Sequence, residues 1–150
     1  MRIRTAFISA VLAASSTLAA CGDDAPEPVA DTAAATTGGE ATGLVTVSPE
    51  QGAATIADSP DGLVILDVRT PEEFADGHLE GAVLVDFYEP SFAEELAALD
   101  PTVPYVLYCR SGNRSGQTLA IMDDLGFEAV EDLGGGIVAW EAAGLPVTTD

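Results

Sequence analysis

Tyr105-Val106-Leu107-Tyr108-Cys109-Arg110-Ser111-Gly112-Asn113-Arg114-Ser115 sets a cysteine behind four apolar, strand-forming residues and ahead of a small polar turn. A helix-like segment from Gln117 to Leu125 follows. The pattern predicts a strand, a tight turn and a helix, with backbone N–H groups converging on the sulfur. Helix dipoles and amide nests favour an anion at such a place. The same surroundings lower a thiol's pKa and make it nucleophilic. Two of the chain's five arginines, Arg110 and Arg114, fall inside this turn, and there is no lysine. A structural cysteine buried in a core, the commoner fate of a lone thiol, needs neither the cations nor the Ser-Gly-Asn turn.

The N-terminus reads as a separate unit. Arg2 and Arg4 precede an apolar stretch from Ala6 to Ala14, which is shorter than the roughly 20 residues a spanning helix requires. Leu18-Ala19-Ala20-Cys21 is similar to a bacterial lipobox. Residues 1–20 are therefore expected to be a lipoprotein signal peptide, with Cys21 the lipidated residue. Residues 21–42, rich in Ala, Pro, Thr, Gly and Asp, are expected to form a disordered tether. Residues 43–150 then make one folded domain with no internal repeat. The expected location is outside the cytoplasm, held on a membrane by lipid alone.

Charge and cysteine usage narrow the partners. The formal net charge is −20, and loss of Arg2 and Arg4 would make it −22, because residues 1–20 contain no acid. Such a chain does not bind nucleic acid by charge and is repelled by anionic headgroups. Attachment then depends on the acyl chains, and one chain gives only marginal binding. With Cys21 lipidated, Cys109 is the sole free thiol and no internal disulfide can form.

Strand-like and helix-like runs alternate through the domain. Leu44 to Val47, Leu63 to Val68, Ala82 to Val85, Tyr105 to Tyr108 and Ala129-Val130 read as strands. Ser48-Pro49-Glu50 reads as an N-cap with a first-turn proline and acid. Pro71 to Ala75, Ser91 to Leu99, Gln117 to Leu125 and Ile137 to Ala142 read as helices, with Gly126 a suitable residue to end the third of these. The alternation predicts an α/β fold: a central parallel sheet with helices on both faces. Asp123-Asp124 and Glu131-Asp132 are expected to be solvated acids, and Trp140 a core residue. No cluster of His and Cys suggests a metal, and no cofactor is implied.

Three segments carry a family resemblance. Leu66-Asp67-Val68-Arg69-Thr70-Pro71-Glu72-Glu73-Phe74 is followed by Gly77-His78-Leu79-Glu80-Gly81-Ala82. The second segment is Cys109 to Ser115. The third is Gly134-Gly135-Gly136-Ile137-Val138-Ala139-Trp140 with Gly144-Leu145-Pro146-Val147. Together, in this order and spacing, they resemble the signatures of a single-domain rhodanese. The resemblance implies a sulfurtransferase in which Cys109 takes a sulfur from a small anionic donor such as thiosulfate. It then passes that sulfur to a thiol or to cyanide, or to a protein acceptor. Backbone N–H groups across Arg110, Ser111, Gly112, Asn113, Arg114 and Ser115 would cradle the persulfide, and Arg110 and Arg114 would hold the donor's charge. By the same resemblance Asp67 and Arg69 fix neighbouring loops by ion pairing, and His78 is a packed, hydrogen-bonded residue.

Two rivals stand beside this reading, one enzymatic and one from a different class. Phosphatases and arsenate reductases of related fold also carry a cysteine loop ending in arginine, but a longer one. Cys109 through Arg114 is six residues, the compact form that the resemblance associates with sulfur transfer. The other rival is a persulfide carrier or docking module without turnover of its own.

Overall fold

The computed structural model describes residues 43–149; the expected signal peptide, Cys21 and the tether lie outside the described residues. Ten elements alternate: β1 (Gly43–Val47), α1 (Pro49–Asp58), β2 (Val64–Asp67), α2 (Pro71–Asp76), β3 (Val83–Leu84), α3 (Phe92–Ala97), β4 (Tyr105–Tyr108), α4 (Asn113–Asp124), β5 (Ala129–Leu133) and α5 (Gly136–Ala142). Every strand pairing is parallel, in the order β1-β5-β4-β2-β3. This is the α/β architecture that the alternation predicts.

The cysteine strand β4 lies in the middle of the sheet, and all its residues are buried. A strand covered on both faces should be apolar throughout, and Tyr-Val-Leu-Tyr is. On one face Leu66, Val68, Tyr105, Leu107 and Val130 pack with Phe92 and Leu96 of α3 and Met122 of α4. On the other, Ile65, Val106, Tyr108 and Leu133 pack with Ile137 and Trp140 of α5 and Ile56 of α1. Each fully buried side chain of this kind contributes about 1.5–3 kcal/mol. Two helices start with reciprocal caps: Ser48 with Gln51, and Thr70 with Glu73, each followed by proline.

Two elements differ from expectation. Helix α4 starts at Asn113 rather than Gln117, so Arg114 and Ser115 ride on its first turn. Asn, Ser and Gly are weak helix formers, which hides this start in the sequence. Gly112, in the left-handed region at φ 93°, makes the sharp entry. Strand β5 runs on through Glu131 and Asp132, which are 9% and 4% exposed. The expectation that they are solvated is incorrect, because β5 is flanked by β1 and β4 and covered by helices.

A parallel sheet brings the C-terminal ends of its strands to one edge. Cys109 after β4, Arg69 after β2 and the Gly134-Gly135-Gly136 run after β5 meet there. The start of α5 is docked directly on the cysteine loop: Ile137 N–H donates to the Cys109 carbonyl at 2.9 Å and Val138 N–H to the Arg110 carbonyl at 3.2 Å. Gly136 makes this approach feasible. Its φ is 60°, and a Cβ there would collide with the carbonyl oxygens of Cys109 and Arg110. Gly136→Ala is expected to cost at least about 1–2 kcal/mol from the left-handed backbone alone. That corresponds to a melting temperature lower by roughly 4–8 °C per kcal/mol, and an unchanged melting temperature would contradict the close docking.

Candidate active site

Cys109 is 1% exposed. Its Sγ accepts a hydrogen bond from Gly112 N–H at 3.1 Å. Burial alone would push the thiol up. The Ser115 hydroxyl and N–H, with the N–H groups of Ser111 and Gly112, outweigh burial and hold the thiol below its ordinary range. Arg114 is held above its ordinary range chiefly by its hydrogen bonds to Glu73, and the Cys109 sulfur adds a smaller electrostatic contribution. These contacts shift the balance at Cys109 from thiol towards thiolate.

Arg114 is not free in space. It makes a two-pronged ion pair with Glu73, at 2.6 and 2.8 Å, and lies over the Tyr88 ring at 5.6 Å. Glu73 Oε2 also accepts the Thr70 N–H at 3.2 Å, as the cap of α2. One carboxylate thus starts a helix and anchors the arginine of the cysteine loop. Nothing in the residue types alone links Glu73 to Arg114, 41 positions away. The Thr70-Pro71-Glu72-Glu73 capping pattern is the only sequence signal pointing at Glu73.

Asp67 and Arg69 form a buried pair with contacts of 2.6–2.9 Å, and Arg69 Nη2 donates to the Gly77 carbonyl at 2.7 Å. The Arg69 guanidinium lies over Tyr108, 5.5 Å from the ring centre. His78 is buried, stacked on Phe74 at 3.7 Å, with Nδ1 donating to the Phe74 carbonyl at 2.9 Å. Its backbone bridges Thr148 in both directions at 2.8 Å. These three side chains brace the loops and stand apart from the sulfur's own hydrogen bonds.

A cavity of about 420 Å³ opens beside the loop, lined by Arg69, Glu73, Asp76, Gly77, Arg110, Ile137, Val138 and Glu141. Among the described residues the ion pairs are Asp67–Arg69 and Glu73–Arg114. Arg110, exposed, is then the cation at this cavity without a paired carboxylate. Asn113 Oδ1 and carbonyl oxygen accept from the Gln117 amide, each at 3.1 Å, so Asn113 is engaged within α4. Among the described residues no group of three or more His, Cys, Asp or Glu is placed to hold a metal.

The family described as "Rhodanese-like domain" matches residues 48–143. The chain belongs to the rhodanese-like family. The described site, with Cys109 on the strand-to-helix turn, falls within that match. The chain is 41% identical over 83 residues to the "Probable adenylyltransferase/sulfurtransferase MoeZ" of Mycobacterium tuberculosis, covering 55% of this chain but only 21% of that protein. It is 38% identical over 92 residues to a "Sulfurtransferase" of Allochromatium vinosum, covering 61% of this chain and 83% of that one. A crystal structure of a rhodanese-related protein from Thermoplasma volcanium superposes with TM-score 0.62 at 25% identity, covering 70% of this chain and 98% of that one.

The Glu73–Arg114 pair gives a pH signature. Arg114 holds the Glu73 carboxyl at about 2, below its ordinary 4.5. A depressed carboxylate stabilises the fold above the ordinary value and loses that effect as pH falls towards the folded value. Glu73→Gln is expected to cost about 1–2 kcal/mol at neutral pH, allowing for the pair's partial exposure. The difference from the parent should shrink as pH falls below the Glu73 reference value. Denaturant melts across this range check it, and a constant difference would refute the ion pair as its source.

Proposed function

We propose that this rhodanese-like domain is a sulfurtransferase working through a persulfide on Cys109. The observation that carries the reading is a buried sulfur in an amide cradle, with Gly112 N–H on it at 3.1 Å. The Cys109 thiolate attacks the outer sulfur of a donor such as thiosulfate. The donor's S–S bond breaks, sulfite leaves with the electron pair, and Cys109 keeps the sulfur as a persulfide. A thiol, cyanide or a protein acceptor then attacks that outer sulfur, and Cys109 leaves again as thiolate.

Arg110 is the residue we assign to the donor's charge, since Arg114 is committed to Glu73. The acidity of the chain does not defeat an anionic donor. Exposed charges beyond roughly 8 Å are screened at physiological salt, whereas a cation about 4 Å away contributes about 4 kcal/mol at an effective dielectric of 20. Asp76 and Glu141 at the same cavity favour donors of low charge.

The test is the intact mass of the full chain before and after thiosulfate, then after cyanide. A gain of one sulfur atom, reversed by cyanide and absent in Cys109→Ser, is expected. Arg110→Ala should weaken loading by thiosulfate more than loading by a neutral donor. No added sulfur in the parent would overturn the proposal and favour a phosphate-ester assay. Loading without turnover would make the domain a carrier.

We also propose, from the Leu18-Ala19-Ala20-Cys21 motif, that the chain is exported and lipid-anchored through Cys21. Cys21→Ala should move the protein from the membrane to the soluble fraction, and persistence in the membrane would refute the anchor.

A further inference from the structure

Helices α2 and α5 each carry, in their last turn, an acid that no ion pair of the fold engages. Asp76 is the last residue of α2, and Glu141 stands one before the end of α5. Both are exposed, and both line the cavity beside the cysteine loop. Among the described residues neither belongs to a salt bridge. The C-terminal end of a helix disfavours negative charge, because its dipole and free carbonyl groups attract cations. Neither last turn contains a basic residue. Two carboxylates are thus held where their own helices oppose them, and both face one space.

The other charges at this cavity are accounted for. Arg69 is closed by Asp67 and the Gly77 carbonyl, and Glu73 by Arg114. Arg110, Asp76 and Glu141 remain as the lining side chains of full charge without an ion pair among the described residues. Arg110 belongs to the cysteine turn itself. Val138 N–H donates to the Arg110 carbonyl at 3.2 Å. Glu141 follows Val138 by three residues on the same face of α5, roughly 4–5 Å further along the helix. Asp76 comes from the opposite partner, α2. The cavity is therefore positive at the cysteine turn and negative beyond it, with Ile137 and Val138 as apolar wall. Its volume of about 420 Å³ is that of a small-molecule site.

We propose that this cavity selects, as the acceptor of sulfur from Cys109, a small thiol bearing an ammonium group. The inference rests on the sulfurtransferase reading and names the acceptor class for it. Asp76 and Glu141 hold the ammonium, while the thiol sulfur, a few bonds away, reaches the cysteine turn. The acceptor thiol first gives its proton to solvent. Its thiolate then attacks the outer sulfur of the Cys109 persulfide and a new S–S bond forms. The bond from that sulfur to Cys109 breaks, and Cys109 leaves with the electron pair as thiolate. The product is the acceptor's own persulfide. Asp76 and Glu141 determine specificity and take no part in bond making. An uncharged acceptor leaves both carboxylates without a partner, and an anionic one meets two like charges.

The experiment uses the full chain carrying Cys21→Ala, so that one thiol remains, and makes two measurements. The first needs no sulfur donor. Cys109 is modified with aminoethyl methanethiosulfonate, a cation, and with sulfonatoethyl methanethiosulfonate, an anion, and the rates are followed by intact mass. In both, the Cys109 thiolate attacks the reagent's sulfenyl sulfur, and methanesulfinate leaves with the electron pair of the broken S–S bond. The cation-to-anion rate ratio should fall about two- to fivefold in Asp76→Asn and likewise in Glu141→Gln, the size of an exposed ion pair. Asp123→Asn, which removes an exposed acid of α4 outside the cavity lining, should leave the ratio unchanged. The second measurement follows sulfur released from the loaded persulfide to aminoethanethiol and to mercaptoethanesulfonate, with the same shift expected in the two cavity variants. Ratios unaltered by both cavity substitutions, or altered equally by Asp123→Asn, would overturn the inference. Absence of loading would instead overturn the sulfurtransferase reading and the acceptor with it, a result the first measurement keeps separate from a cavity without charge preference.

Discussion

An anion inside a protein is tolerable only where dipoles and cations replace the water it has lost. Cys109, almost fully buried, imposes that requirement on everything around it. The amides of the turn answer it directly, which is why the backbone must enter α4 through a left-handed Gly112 and not through a wider loop. Arg114 answers it at longer range, and its guanidinium is kept in place by Glu73. Tyr88 lies over the guanidinium on a further side. Each of these groups belongs to a different stretch of chain, so the charge on one atom organises residues from α2, the loop before α3, α4 and α5.

The sheet makes that convergence cheap. All pairings are parallel, so β2, β4 and β5 end on one edge and their following loops are neighbours without further contrivance. The loop after β2 is stiffened by the internal Asp67–Arg69 pair and its link to Gly77. The loop after β5 delivers two amides of α5 to the carbonyls of Cys109 and Arg110. The cysteine turn is therefore gripped from both directions: its N–H groups face the sulfur while its carbonyls face α5.

Much of this was legible in the residues. The apolar run before Cys109, the Ser48 cap and the three glycine-marked segments are local signals, and they yield the order of elements along the chain and the cysteine turn. Asn113 and Ser115 read as turn residues because their intrinsic propensities oppose the helix that packing imposes. Glu131 and Asp132 looked solvated because charge outweighs position in any local view. Only the placement of β5 between β1 and β4 reveals that they are inside. The Glu73–Arg114 contact likewise needs the fold, since it joins a helix cap to a loop through space.

The depth of the sulfur acts as a sieve. A thiol with almost no exposed surface meets slender, terminal sulfur atoms more readily than bulky disulfides or oxidants, which must bring their own substituents to the same spot. Such shelter matters for a lone thiol, whose further oxidation is irreversible beyond the first rung. A second sulfur bonded to Cys109 stands about 2 Å beyond the first. On the proposed sulfur-transfer reading, the fold would thereby conceal its nucleophile and present that second sulfur.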